Sequence, residues 1–306
     1  MNVEDMNKNS TVSTKSLGKS KGLWRSFKRT RFARAVWRNP LSIVGLLIVA
    51  LLILMVIAPG IFTSQSPTKL NLRSKLLSPS FEHPFGTDHM GIDIFTRVVY
   101  GARTTAWVVV VVLGIATGVG TVVGAIAGYV GGFVDDVLMR STDIVLAFPA
   151  LVLAIALNAA LGRGLLQTML AVGFSWWPSY ARLVRSQVLS IKNEEYVLAA
   201  RALGASPFTI LTRHIFWNGI DPIIVNITID VGFVALATAG LSFLGLGVEP
   251  PTPEWGRMVA EGRDYLLGQW WVSTFPGLAL FMVVVGFNLL GEIVRDWLDP
   301  SSIGRD

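Results

Sequence analysis

The sequence has no cysteine in 306 residues, which excludes disulfides and thiolate metal sites. Charged residues are also scarce: they make up 15% of the chain, against about a quarter in soluble domains, whereas hydrophobic residues make up 52%. No GxxxxGK[ST] phosphate loop occurs, so we do not expect the chain to bind ATP through a P-loop. No Ser/His/Asp set or pair of carboxylates stands out on one element. These absences indicate a membrane protein rather than an enzyme.

Histidine is nearly absent too, with three residues. His83 and His89 are six positions apart in a predicted loop that also holds Asp88 and Asp93, so we considered a divalent ion there. A His-x5-His spacing offers no regular ligand face, and we predict no metal. His214 is expected to cap or pack.

Positive charge is concentrated at the amino terminus, where residues 1–39 carry ten Lys/Arg and two acids. A basic block can bind nucleic acid, but this one precedes a hydrophobic run, which favours control of membrane topology. We expect residues 1–22 to be disordered and residues 24–37, basic and amphipathic, to lie along the anionic membrane surface. We predict no nucleic-acid partner.

Six apolar stretches follow that are long enough to cross a bilayer. The sequence therefore predicts an all-α membrane protein with six transmembrane helices. The first covers 40–61 and is followed by an extracellular loop over 62–103, a core over 104–296 and a tail over 297–306. Within the core the predicted spans are Thr104–Val134, Asp143–Arg163 (interrupted by Pro149), Arg163–Arg182, Asp221–Glu249 and Asp264–Glu292.

Glycines recur in the second predicted span at spacings that include four residues. Such small-xxx-small patterns permit close packing of helices in membranes, so we expect this span to pack tightly against another. The glycines are Gly114, Gly118, Gly120, Gly124 and Gly128.

Orientation follows from the distribution of Lys and Arg. With the amino terminus in the cytoplasm, 18 of the 26 Lys/Arg lie on the inner side, as the positive-inside rule requires. We therefore predict a multi-pass plasma (inner) membrane protein with both termini cytoplasmic. The central loop, 186–221, is then cytoplasmic as well.

The central segment 193–222 has strong helix signals. Asn193 is the expected N-cap, the two following glutamates suit the first turn, and Gly204 suits a left-handed C-cap. Ser206 and Pro207 then predict the start of a second helix. A helix of about ten residues rises only roughly 15 Å, too little to cross the membrane. The small side chains of the first helix permit close contact, either with a partner protein or with the rest of this chain.

The spacing Ala199-Ala200, three residues, Gly204 resembles the cytoplasmic EAA loop of the membrane-spanning subunits of ABC importers. The wider text LAARALGAS…RHI is closest to the dipeptide/oligopeptide/nickel permease family, and we identify the chain with its second-permease (C-type) subunits. Leu198 replaces the usual motif Glu, and Phe216-Trp217 replaces the usual Leu-Pro.

Two predicted outer segments resemble the same family: HPFGTDHMGIDIFTRVVYGAR and VEPPTPEWGRMVAEGRDYLL. Ile92 stands where the family usually has Arg. The resemblance covers nearly all of residues 40–300, including LSFLGLGVEPPTPEWG and FNLLG…RDWLDP.

This resemblance implies a type I ABC importer permease fold and no enzymatic activity. It implies a second homologous permease, two ATP-binding subunits and an extracellular solute-binding protein as partners, besides membrane lipid. No cofactor is expected on this chain, since ATP and Mg would be bound by the ATPase subunits. The implied ATPase-coupling residues are Glu195, Tyr196, Ala199, Ala200, Arg201, Gly204, Ala205 and Ser206.

Asp230 is an acid inside the fifth predicted span, nine residues and hence roughly 13 Å from Asp221. One hypothesis is that it lines the translocation path with Asn226 and Asn288 and attracts a cationic group of the solute, such as a peptide amino terminus. The alternatives are a hydrogen bond to a neighbouring helix, or a span that begins later.

The function implied is that of the permease subunit of an ATP-driven importer of di- or oligopeptides, which forms half of the path. Nickel chelates and small saccharides are other substrates in the family. The alternative function is a secondary transporter driven by an ion gradient, with Asp230 as the ion carrier; a third is a membrane scaffold.

Overall fold

The structure, a computed structural model, describes residues 40–298 together with Val36. This part of the chain is helical. The predictions for the rest of 1–39 and for 299–306 lie outside the described residues. The helices are α1 (Pro40–Ile57), α2 (Ile94–Val130), α3 (Gly132–Leu146), α4 (Ala150–Leu161), α5 (Leu165–Ile191), α6 (Glu195–Ala202), α7 (Pro207–Thr209), α8 (Asp221–Phe243), α9 (Trp255–Gly262) and α10 (Trp271–Leu298).

Four described helices are long and apolar enough to cross a membrane: α1, α2, α8 and α10. Helices α3 and α4 meet the criterion only together, which raises the count to five. Helix α5, with 27 residues, would reach about 40 Å, but it contains two arginines and is not among the apolar spans. By length and composition the described residues thus hold four or five spans rather than the six predicted.

The third predicted span is not one straight helix. Helices α3 and α4 meet at an angle of 87° around a three-residue break that ends at Pro149. Proline has no N–H to donate and disfavours helical backbone in the residue before it, so the helix breaks where the interruption was expected. With 12 residues, α4 is about 18 Å long, too short to span the hydrocarbon core by itself.

Helix α2 begins ten residues earlier than the predicted second span. Asp93 is its N-cap, because its Oδ2 accepts a hydrogen bond from the Thr96 N–H at 2.7 Å. The charged residues that set the predicted boundary are accommodated within the helix. Arg103, for example, donates to the carbonyls of Val56 and Ile57 at the end of α1, at 2.6 and 2.9 Å.

Glycines on one face of α2 pack directly against α5. A Cβ at Gly120, Gly124 or Gly128 would lie within 3 Å of atoms of α5, including backbone atoms. The predicted close packing is therefore confirmed for these three, which are four residues apart and share a face. Gly114 and Gly118 have no such neighbour within 4 Å.

The two segments predicted to lie outside form one structure rather than two separate loops. Arg97, 1% exposed, places Nη1 2.5 Å from Asp88 Oδ2 and 3.1 Å from Glu261 Oε2 on α9. The Trp255 indole N–H donates to the Val98 carbonyl at 2.9 Å. These contacts tie α9, and with it the connection between α8 and α10, to the beginning of α2.

The glycine face of α2 leads to a stability prediction. Replacing Gly124 by Leu should lower the melting temperature of the purified chain in detergent, because backbone and side-chain atoms of α5 occupy the required space. Overpacking of this kind costs roughly 1–3 kcal/mol. Fluorescence-detected gel filtration after heating measures the effect. Gly118→Leu is the matched control on the same helix, and an equal loss in both variants would contradict the assigned packing.

Candidate functional site

The first candidate site is the central loop, which was predicted to be cytoplasmic. Its first helix is α6, whose N-cap is Glu194. Glu194 has extended backbone angles (φ −64°, ψ 144°), and its side chain makes no capping bond. The prediction of Asn193 as N-cap was wrong. A turn closed by the Glu194 N–H and the Ile191 carbonyl, 3.0 Å apart, follows α5 directly and includes Asn193. Glu195 lies in the first turn of α6, as predicted.

The end of α6 is a Schellman motif built on Gly204. The Ala205 N–H donates to the Ala200 carbonyl at 3.1 Å, and the Gly204 N–H donates to the Arg201 carbonyl at 3.0 Å. Gly204 has φ +83°, in the left-handed region that favours glycine. The predicted C-cap is confirmed.

The second helix of the loop starts as predicted but continues differently. Ser206 Oγ accepts from the Thr209 N–H at 3.2 Å, and Pro207 occupies the first turn. Helix α7 is a single turn, after which Ile210–Ile215 is π-helical. Nothing in the sequence signalled this π-helical turn, a geometry found frequently at functional sites.

One side of the loop is anchored to the membrane helices. Val197 of α6 is fully buried. The Lys192 ammonium donates to the Gly128 carbonyl at 2.8 Å, and the Arg201 guanidinium lies 5.9 Å from the centre of the Tyr129 ring. Since Gly128 and Tyr129 are at the end of α2, these contacts attach the start of the loop and α6 to that helix.

The other side of the loop exposes apolar side chains. Leu203 is 89% exposed and Phe208 76%, and Tyr196 and Leu198 are also exposed. Sequence reasoning had singled out the small residues here and had overlooked Leu203 and Phe208. Of the predicted coupling residues, Ala200 and Ala205 are partly buried, while those exposed are Glu195, Tyr196, Ala199, Arg201, Gly204 and Ser206.

A second candidate site surrounds Asp230 on α8. The Tyr180 hydroxyl of α5 donates to Asp230 Oδ2 at 2.8 Å, and the Asn226 amide lies 3.3 Å from the same oxygen. Tyr180 is fully buried, whereas Asp230 is partly exposed. The sequence-based alternative of a hydrogen bond to a neighbouring helix is therefore present, whatever further role Asp230 has.

The three predicted path residues do not converge. Asn288 of α10 donates to the Val284 carbonyl of its own helix at 2.8 Å. Its amide nitrogen lies 3.6 Å from the position that a Cβ of Gly232 would occupy. Gly232 is two residues after Asp230 and is therefore about 200° around α8 from it. Asn226 and Asp230 are together, and Asn288 packs on the opposite face of α8.

His83 and His89, which precede α2, have different neighbours. His83 Nδ1 lies 3.0 Å from Asp93 Oδ1, and the His89 ring stacks against Tyr265 at 6.1 Å. Across residues 40–298 no group of three or more His, Cys, Asp and Glu is arranged to hold a metal ion.

Glu254 at the start of α9 is a buried acid. Burial raises the pKa of its carboxyl, whereas the two hydrogen bonds that it accepts from the backbone N–H groups of Gly256 and Arg257 act in the opposite direction.

Comparison with known proteins gives consistent results. Residues 120–303 match the family model described as binding-protein-dependent transport system inner membrane component. The chain is 42% identical over 283 residues to a probable D,D-dipeptide transport system permease protein of Escherichia coli K12, covering 91% of this chain and 95% of that protein.

Two further relatives come from another organism or are named for another substrate. A dipeptide transport system permease protein of Alkalihalophilus pseudofirmus is 43% identical over 264 residues, covering 86% of this chain and 87% of the relative. A nickel transport system permease protein of Escherichia coli K12 is 40% identical over 260 residues, covering 85% and 94%.

The family match extends over more than half of the chain, and the relatives cover nearly all of it. The chain is thus a membrane-embedded transporter component rather than an enzyme. It belongs to the family of binding-protein-dependent transport system inner membrane components, the permease subunits of ABC transporters.

Proposed function

We propose that this permease subunit serves an ATP-driven importer of di- or oligopeptides and forms half of the translocation path. The observation that carries the proposal is the 42–43% identity, over nearly the whole chain, to permeases named for dipeptides. The other half would be a second homologous permease. Two ATPase subunits holding ATP and Mg, and an extracellular solute-binding protein, would complete the assembly.

We propose a six-span topology with both termini cytoplasmic. The bent pair α3 and α4 would then form the third span and α5 the fourth. Helix α8, 23 residues and about 35 Å long, starts just after the central loop and ends before α9. The central loop and the Arg97 network are therefore at opposite ends of one helix, which supports their assignment to opposite sides of the membrane.

Helix α6 is the proposed contact with an ATPase subunit. Leu198 on this helix and Leu203 directly after it are exposed apolar residues, which a partner protein could cover. Leu198, in place of the usual motif glutamate, makes this contact one of packing rather than ion pairing. Displacement of α6 would reach the membrane helices through Val197 and through the bond between Lys192 and Gly128.

The translocation path is proposed to pass the face of α8 that carries Asp230 and Asn226. Ile223 and Ala237, seven residues to either side of Asp230 and on the same face, are buried. This face is therefore directed into the protein, where an acid within a span is expected to serve transport. Asn288 would line the path only from the side of α10.

Orientation can be tested by cysteine labelling, because the chain has no native cysteine. In spheroplasts, a membrane-impermeant maleimide should label Leu267→Cys, at a fully exposed outer position, without permeabilisation. Ala202→Cys on α6 should react only after the membrane is opened. Labelling of both positions in intact spheroplasts would exclude the proposed topology.

The ATPase contact can be tested at the tip of the loop. Leu203→Glu should abolish co-purification of the ATPase subunits with the tagged permease, because a charge would enter an apolar contact. Leu267→Glu is the matched control, since that leucine is as exposed at the other end of the molecule. Retention of the ATPase subunits by the Leu203 variant would rule out a contact at this residue.

The energy source can be tested in proteoliposomes. Because the chain lacks a P-loop, dipeptide import should require the ATPase subunits and ATP, together with the binding protein. If ATP supplies the energy, import should continue when ionophores collapse ion gradients. Radiolabelled solute accumulation is the measurement. Gradient-driven import by the permeases alone would establish the secondary-transport alternative instead.

A further inference from the structure

The Asp230 cluster joins two membrane helices through hydrogen bonds from uncharged donors. Tyr180 of α5 and Asn226 of α8 both bond Oδ2, at 2.8 and 3.3 Å. These donors occupy lone pairs of the carboxylate but contribute no positive charge. A deprotonated Asp230 would therefore carry a negative charge that its hydrogen-bond partners do not offset.

No cation of the described part of the chain balances this charge. Seven ion pairs occur among residues 40–298, and none includes Asp230. By contrast Asp88, Asp135 and Asp143 are each paired with an arginine. An acid within a span that lacks an ionic partner is costly, which makes Asp230 a candidate functional residue.

The position of the cluster gives a ligand access from the interior. Asp230 is partly exposed on the face of α8 that is directed into the protein. Ile224 and Leu236, about 120° to either side of it, are exposed apolar residues suited to lipid or to a partner helix. Asp230 is thus a partly exposed residue on the face of α8 along which the path is proposed to run.

Tyr180 holds the carboxylate in place. Its ring is fully buried, and its Cβ abuts the backbone of Gly120 on α2, so the side chain has little freedom. A hydroxyl fixed in this way positions Asp230 Oδ2. The other carboxyl oxygen, Oδ1, is then left to accept hydrogen bonds from a ligand. Tyr180 acts through Asp230 and is a positioning residue.

From this geometry we propose that the cluster is a binding site for the protonated primary amine of the transported solute. An ammonium has three donors for carboxylate and amide oxygens. A divalent metal ion would need six or more oxygen ligands for calcium or a strict octahedron for magnesium, which one aspartate does not supply. The inference rests on the proposed function and deepens it by naming the recognised group.

The test uses the complete transporter in proteoliposomes, with alanyl-alanine in its L,L and D,D forms as solutes. The quantity measured is the number of solute molecules imported per ATP hydrolysed. Asp230→Asn should lower this ratio about tenfold, the scale of one charge-assisted hydrogen bond, while ATP hydrolysis stimulated by the loaded binding protein is kept. Asp230→Glu should restore most of the ratio, and Tyr180→Phe should give an intermediate value.

Asp221→Asn, an exposed acid at the start of the same helix, is the matched control and should leave the ratio unchanged. A purely structural role for Asp230 would lower import and hydrolysis together, along with the melting temperature, and would overturn the inference. So would an unchanged ratio in Asp230→Asn. If the wild-type transporter hydrolysed ATP but imported neither dipeptide, the proposed peptide function itself would fail, and this inference with it.

Discussion

The close approach of α2 and α5 is the constraint on which the rest of the structure depends. Between helices in lipid there is little hydrophobic driving force, so association relies on packing and polar contacts. Gly120, Gly124 and Gly128 let the two backbones meet, and a side chain at any of them would collide with α5. The same contact fixes Tyr180, which in turn holds Asp230 on α8.

The end of this helix pair nearest the central loop is reinforced by charge. Arg185 of α5 makes two hydrogen bonds of 2.6 Å to the Asp135 carboxylate of α3, a bidentate geometry that is both strong and directional. Lys192 caps the end of α2 through the Gly128 carbonyl. Because α6 follows α5 after a tight turn, it is joined closely to this group of helices.

The opposite end, at the start of α2, is held by buried ion pairs. Arg97 is buried between the carboxylates of Asp88 and Glu261, and breaking one partner of such a buried pair generally leaves a costly unpaired charge. Trp255 adds an indole bond to the Val98 carbonyl. The start of α2 is therefore tied to α9, the segment that connects α8 and α10.

The sequence by itself determined features that depend on residues adjacent in the chain. The helix, the break and the second helix of the central loop follow from Gly204, Ser206 and Pro207, because caps and left-handed backbone are local requirements. The break at Pro149 and the acid within a span were likewise readable, since proline geometry and burial of charge are properties of single residues.

Only the tertiary structure decided which elements meet. The glycine pattern predicted close packing but not the partner helix, nor that Gly114 and Gly118 would take no part. Asn226 and Asn288 were equivalent as polar residues within spans, yet only Asn226 shares the face of Asp230. The union of Arg97 with Glu261, 164 residues apart, depends on how α9 folds back over α2, and no local pattern specifies a contact between segments so distant in the chain.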